Sequence, residues 1–388
     1  MHVISRIAVA VLAVTPAVQG VKLLASHFAG GVYTLDFTGS KITQQAKADG
    51  CGRVPGWIEY YSEDKTLYCF DESWYGSGNI VSYNVSADGS LKQFAQAPTT
   101  GNDVHGLLYG GSDGKGFVAT AQYSPSTITT YKLPLSKSTK PLQLEKFTLA
   151  KKGPNSRQDV AHPHETLLDP TGKFILVPDL GADLIRVFSI DTTSGRLTAC
   201  GQGQANPGDG PRHGKFFFTP ASSTTPSVLY TLNELGNSVS AWSVTYSSSC
   251  ISLKLTQTLS TYKAGTKGGP TTKAAELQVR DNFLYATNRA DQTFGTQQDS
   301  IAIYTIDPAT GKIAWMEATN ARAYYPRTFQ INKAGDLVAV GGQTSSSVVI
   351  LKRDTATGKL GDPVASIVIQ PVGKAGEEDG LSAVVWVE

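Results

Sequence analysis

The stretch HPHETLLDPTGKFILVPDLGADLIRVFSIDTTSGRLTACGQ, His162 to Gln202, decides the fold. Two turns punctuate it, Asp169-Pro170-Thr171-Gly172 and Thr193-Ser194-Gly195. Both carry hairpin chemistry: Asp and Ser side chains hold the turn, and Gly supplies the left-handed backbone it needs. Between them, Leu184-Ile185-Arg186-Val187-Phe188-Ser189-Ile190 has the two-residue period of a strand. The unit is therefore a strand, a Gly turn, a strand ending in polar residues, a looser loop, a third strand, another Gly turn and a fourth strand.

The same unit recurs about every 50 to 60 residues, the period of a repeat architecture. Copies begin at Trp57 (WIEYYSEDKTLYCFDES), His105 (HGLLYGGSDGKGFVATAQY), Pro211 (PRHGKFFFTP), Ala274 (AAELQVRDNFLYATNRAD) and Pro326 (PRTFQINKAGDLVAVGG). A seventh copy is split. The C-terminal DGLSAVVWVE supplies one strand, and VKLLASHFAGGVYTLDFTGSKITQQA near the N-terminus supplies the rest. Such a split closes a ring and removes open sheet edges. The expected fold is all-β, a seven-bladed β-propeller whose terminal strands share one blade. No long amphipathic stretch supports a mixed α/β alternative.

Composition agrees. Only 17% of the 388 residues are charged, below the roughly 25% of ordinary domains, and 39 Gly and 16 Tyr suit strands joined by many turns. Lys and Arg number 34 against 32 Asp and Glu, and no basic run occurs, which argues against nucleic acid as the main partner. Residues 1–20 place Arg6 ahead of an apolar run, Ile7 to Val14, broken by Pro16. This reads as a secretory signal peptide, too short to span a membrane, and leaves 21–388 as the propeller of a secreted protein. Cys51, Cys69, Cys200 and Cys250 form an even set that permits two disulfides, with the local pairs Cys51–Cys69 and Cys200–Cys250 expected. Asn84-Val85-Ser86 is a glycosylation sequon beside a turn.

In a propeller the first strand of each blade lines a central channel. The loop after the second strand opens on the same face as the loop leading into the next blade. Equivalent positions in successive copies thus converge. The starts of the first strands carry Trp57, His105, His164, Arg212 with His213, Glu276 and Arg327. The ends of the second strands carry His27, Asp71 with Glu72, Gln122, Asp179, Asn233 with Glu234, Asn288 with Arg289, and Gln343. Arginines suit the capture of carboxylate or phosphate. Histidines move protons near neutral pH, and Glu can orient them or act beside them. The set suits a small anionic substrate and proton transfer. Hydride transfer is not indicated, since no nicotinamide fingerprint occurs.

Three local patterns read as decoys. Gly110-Gly111-Ser112-Asp113-Gly114 matches a nucleophile elbow but sits in a hairpin, whereas the elbow needs a strand-to-helix turn. His162-Pro163-His164 offers metal-ligand spacing, yet alternation sends His164 and Glu165 to opposite faces. A distributed metal site from Glu72, Asp179 and Glu234 is the third. No cofactor is expected.

The segments HPHETLLDPTGKFILVPDLGAD (162–183), GPRHGKFFF (210–218), LYTLNELGNSVSAW (229–242) and AAELQVRDNFLYATNRAD (274–291), in this order and at blade spacing, resemble the seven-bladed propeller lactonases. That family includes bacterial propeller-type 6-phosphogluconolactonases and the fungal carboxy-cis,cis-muconate cyclase, and the resemblance runs from Lys22 to Glu388. It implies a cofactor-free site in which His164, Arg212, Glu234 and Arg289 are the catalytic set. His105, His213, Glu276, Arg327, Gln343 and Asp179 are then expected to bind substrate. The expected activity is that of a lactonizing isomerase most like the muconate cyclase, or of a lactone hydrolase of the phosphogluconolactonase type. The substrate class is a small anionic carboxylate or lactone. Arg212 and Arg289 would hold substrate carboxylates, His164 would transfer the proton, and Glu234 would orient His164 or polarise a neighbour. A secreted binding or surface protein that keeps the scaffold without catalysis is the alternative from another class.

Overall fold

A computed structural model describes residues 20–74, 78–220 and 224–388. The signal-peptide reading of residues 1–20 thus lies outside the described residues except for Gly20. Seven four-stranded antiparallel sheets account for the fold. Blade 1 is Pro55–Tyr61, Thr66–Asp71, Asn79–Val85 and Leu91–Pro98, and blades 2 to 6 repeat this order along the chain. Blade 7 pairs the C-terminal strand Leu381–Val387 with Val21–His27, followed by Val32–Phe37 and Ile42–Ala48. The ring is therefore closed by both ends of the chain, as the split repeat requires. Among the described residues there is no helix long and apolar enough to cross a membrane.

The core is seven separate interfaces. Leu277 and Tyr304 of blade 5 pack on Tyr230 and Leu232 of blade 4, and a comparable cluster fills each junction around the ring. Strands therefore need apolar residues on both faces, which explains runs such as Phe174-Ile175-Leu176-Val177, all buried. The outer strands lack a second neighbour and alternate, as in Ile251–Ser260.

The turn glycines lock neighbouring blades together. Tyr109 donates its hydroxyl to Gly195 O at 2.5 Å, Tyr230 to Gly311 O at 2.7 Å and Tyr285 to Gly358 O at 2.7 Å. Each of these glycines has a φ near +70°. Each also leaves no room for a Cβ, which would enter Phe117, Val228 or Phe283 respectively. Gly is needed there for backbone conformation and for close approach together. Both expected disulfides are present, Cys51–Cys69 and Cys200–Cys250, with Cα atoms 5.9 and 5.6 Å apart. The second joins the outer strand of blade 3 to the turn leading into that of blade 4. Asn84 of the sequon is exposed at the end of a strand.

The first strands share one irregularity that builds the channel. The ladder skips a residue between Pro55 and Trp57, Asp103 and His105, Pro211 and His213, and Pro326 and Thr328. A bulge of this kind re-aims the extra side chain. In blade 3 Pro163 has no N–H to donate, so regular pairing is confined to Leu167–Leu168, with an isolated bridge from Pro163 to Asp179. The positions so re-aimed are Gly56, Val104, His164, Arg212 and Arg327. The residue after each, Trp57, His105, Glu165, His213 or Thr328, faces the channel one level further down.

Candidate active site

This offset divides the channel into two cavities with no lining residue in common. The upper one, about 140 Å³, is lined by His164, Glu234, Arg289 and Arg327 from the expected set, and by Glu72, Val104, Tyr123, Arg157, Lys273, Tyr325 and Glu378 among others. Glu234 is its electrostatic centre. Its chain position just past Val228–Asn233 is fixed by its N–H, which donates to Gly210 O at 2.8 Å. Oε1 stands 2.9 Å from Arg289 Nη2, Oε2 stands 3.0 Å from Arg212 Nε, and Arg157 Nη1 donates to Oε1. Burial alone would raise the Glu234 pKa, but Arg157, Arg289 and Arg212 outweigh it and hold the carboxyl well below the usual range. Burial and the neighbouring Arg289 bring Arg212 down to about 9.

A second buried pair stands beside it. Arg327 Nη2 donates to Glu72 Oε2 at 2.9 Å, and Glu378 lies 3.9 Å from Arg327 Nη1. Burial pushes the Glu72 carboxyl up, with Arg327 only partly offsetting it. Four cationic side chains and three carboxylates thus line the upper cavity, one of the carboxylates biased toward its neutral form. An anion entering there meets a net positive wall.

His164 is 4% exposed, and its Nδ1 has no hydrogen-bond partner among the described residues. Burial, then the charges of Arg212 and the proximity of His213, hold its pKa well below 6.5. The imidazole is therefore neutral at ordinary pH and free to accept a proton. Its ring is flanked by His213 at 5.3 Å and Tyr123 at 5.8 Å, both edge-on.

The structure brings together only part of the expected substrate-binding set. Arg327 is in the upper cavity, whereas His105 and Glu276 line the lower one. His213 lies between, its Nδ1 2.9 Å from Glu276 Oε2. Asp179 is turned inward to accept from His162 N at 2.8 Å and to pair with Arg186, 2.8 Å away. Gln343 donates to Glu377 O and so ties down the loop that carries Glu378. Arg212 and Arg289 both pair with Glu234, and Glu234 makes no hydrogen bond to His164 among the described residues. Its anchoring of three guanidinium groups is thus a different arrangement from the expected orientation of His164. Among the described residues, no three His, Cys, Asp or Glu side chains converge into a metal-ligating group.

Sequence reasoning missed Arg157, Tyr123, Tyr325 and Glu378. Three of them lie on loops between an outer strand and the next blade's first strand, a region with no fixed repeat register. Arg157 reaches in from such a loop, donating to Tyr123 Oη at 2.8 Å.

Residues 22–374 match the family model for the lactonase with a 7-bladed beta-propeller. The chain belongs to that family. It is 34% identical over 314 residues to a protein of Arthroderma benhamiae named "Probable 6-phosphogluconolactonase", covering 79% of this chain and 75% of the relative. It is 28% identical to a 6-phosphogluconolactonase of Formosa agariphila, over 85% of this chain and 90% of that one. Among solved structures, the periplasmic gluconolactonase of Pseudomonas aeruginosa superimposes with a TM-score of 0.79 at 23% identity, covering 95% of this chain and 99% of the other. At that identity the likeness speaks for the fold alone. In this lactonase-family chain the upper-cavity residues from Glu72 to Arg327 lie inside the matched residues, and Glu378 lies just beyond them.

Proposed function

We propose that this protein is a lactone hydrolase that opens a small anionic sugar lactone of the 6-phosphogluconolactone type in the upper cavity. One observation carries the reading: a neutral, buried histidine lines a cavity walled by arginines. Water held at His164 Nε2 attacks the lactone carbonyl and gives up a proton to the imidazole. The ring C–O bond then breaks, the departing oxygen takes the proton back, and the carboxylic acid product ionises. An arginine side chain stabilises the oxyanion on the way. Arg327 and Lys273 are placed to attract the anionic substituent.

Hydrolysis is favoured over lactonization by kinship, since the relatives from Arthroderma benhamiae and Formosa agariphila are named as 6-phosphogluconolactonases. Support for a secreted form comes from the leader pattern, the two disulfides and the exposed sequon. The mature N-terminus and glycan mass of secreted material check that part.

The test of function is proton release from 6-phosphoglucono-δ-lactone above its spontaneous hydrolysis, with wild type and His164→Ala side by side. Wild-type protein that adds nothing to the spontaneous rate removes the proposal.

A further inference from the structure

The lower cavity, about 310 Å³, is more than twice the size of the upper one and takes no part in the mechanism above. Its polar groups are incompletely satisfied. Lys215 enters it from blade 4 and has no hydrogen bond, and no carboxylate within salt-bridge distance, among the described residues. Glu165 is 2% exposed; its Oε2 accepts from Gly214 N at 2.6 Å, but its Oε1 has only His105 Nε2 at 3.8 Å. Glu59 accepts from Trp57 Nε1 at 3.2 Å through Oε2, which leaves Oε1 open. An ammonium with three donors and two carboxylate oxygens thus face one space without meeting each other.

We infer that the lower cavity is a second binding site, distinct from the catalytic one, for a neutral polyhydroxylated molecule the size of a monosaccharide. The cavity presents an ammonium donor, Lys215, and open carboxyl oxygens of Glu59 and Glu165. Hydroxyl groups answer both demands, since each can accept from Lys215 and donate to a carboxylate. The walls suit the remainder of such a ligand: the rings of Trp57 and Tyr61 offer apolar faces to the C–H surface of a sugar ring. Glu59 and Lys215 are only partly buried, so the cavity opens to solvent on the face away from the catalytic site.

Calorimetric titration of the full-length protein with D-glucose tests this. Binding with a Kd on the order of 1 mM is expected. Lys215→Met and Gln278→Leu should each weaken it about tenfold or more. Gln278 lines the same cavity and is half-buried, so this second variant keeps the test open if the first fails to fold. His164→Ala should leave glucose binding unchanged. Loss of glucose binding in His164→Ala, binding of a diamine such as putrescine in preference to glucose, or no heat from either would each overturn the inference.

Discussion

Arg289 Nη2 stands 2.9 Å from Glu234 Oε1, with neither side chain more than 4% exposed. Two residues more than fifty positions apart, from the second strands of neighbouring blades, meet because the blades share an axis. Arg212 and Arg157 complete the arrangement, so one carboxylate orders three guanidinium groups at the head of the channel.

Glu234→Gln leaves those three cations without their common anion. Breaking a buried pair costs about 3–5 kcal/mol, so a loss of about 3 kcal/mol in urea-denaturation stability at pH 7 is expected. The pH dependence has a definite sign. Glu234 has a folded pKa depressed below 4.5, so its contribution is complete above 4.5 and fades only as pH falls through the lower folded value. Wild type and variant should converge in strong acid alone. Equal stability at neutral pH would show that Glu234 is not the anchor.

His164→Ala should lower kcat about 10²–10⁴-fold, the usual worth of a positioned proton acceptor. Because burial, Arg212 and His213 press its pKa well below 6.5, kcat/KM of the wild type should show no inflection near 6.5. The acid limb should appear well below that value. A profile that titrates at 6.5, measured against spontaneous lactone opening, would assign the proton transfer to a different group.

Gly195→Ala and Gly172→Ala separate two costs. Both positions have a φ near +70°, but a Cβ at Gly172 meets nothing within 4 Å, whereas at Gly195 it enters the Phe117 ring. Backbone strain alone is about 1 kcal/mol at Gly172, and the clash should bring Gly195→Ala to about 3 kcal/mol or more. Thermal unfolding of the two variants reads the difference, and equal shifts in Tm would show that the blade 2–blade 3 contact yields freely.

Glu165→Gln should stabilise the protein in a pH-dependent way. Burial raises Glu165 to about 8, with Lys215 only partly compensating. The folded state therefore holds a proton that the unfolded chain releases near 4.5, and wild-type stability falls as pH climbs from there to about 8. The variant escapes that loss. Its advantage should grow by at most about 1.4 kcal/mol per pH unit over this window and then level off. A constant difference from pH 5 to 8 would mean that Glu165 does not titrate there.

Much of the architecture was legible because turns and strand periods are local. Asp169-Pro170-Thr171-Gly172 and Thr193-Ser194-Gly195 announce themselves within a few residues, and their recurrence counts the blades. The split seventh copy followed from the same count. His164, Glu234, Arg289 and Arg327 were found because repeat positions converge around an axis. Arg157 and Glu378 were not, since their loops obey no repeat.

Sequence alone determined the number of blades, the closure by the two termini and the types of residue that crowd the channel. It could not determine height along that channel. Trp57, His105, His164, Arg212, Glu276 and Arg327 look equivalent when aligned, yet they divide between two cavities and the layer that separates them. The reason is the period of a strand: one bulged residue, or one proline without an N–H, reverses which way every following side chain points. Only the folded ladder records where those slips occur, and they place His164 in the upper cavity and its neighbour Glu165 in the lower.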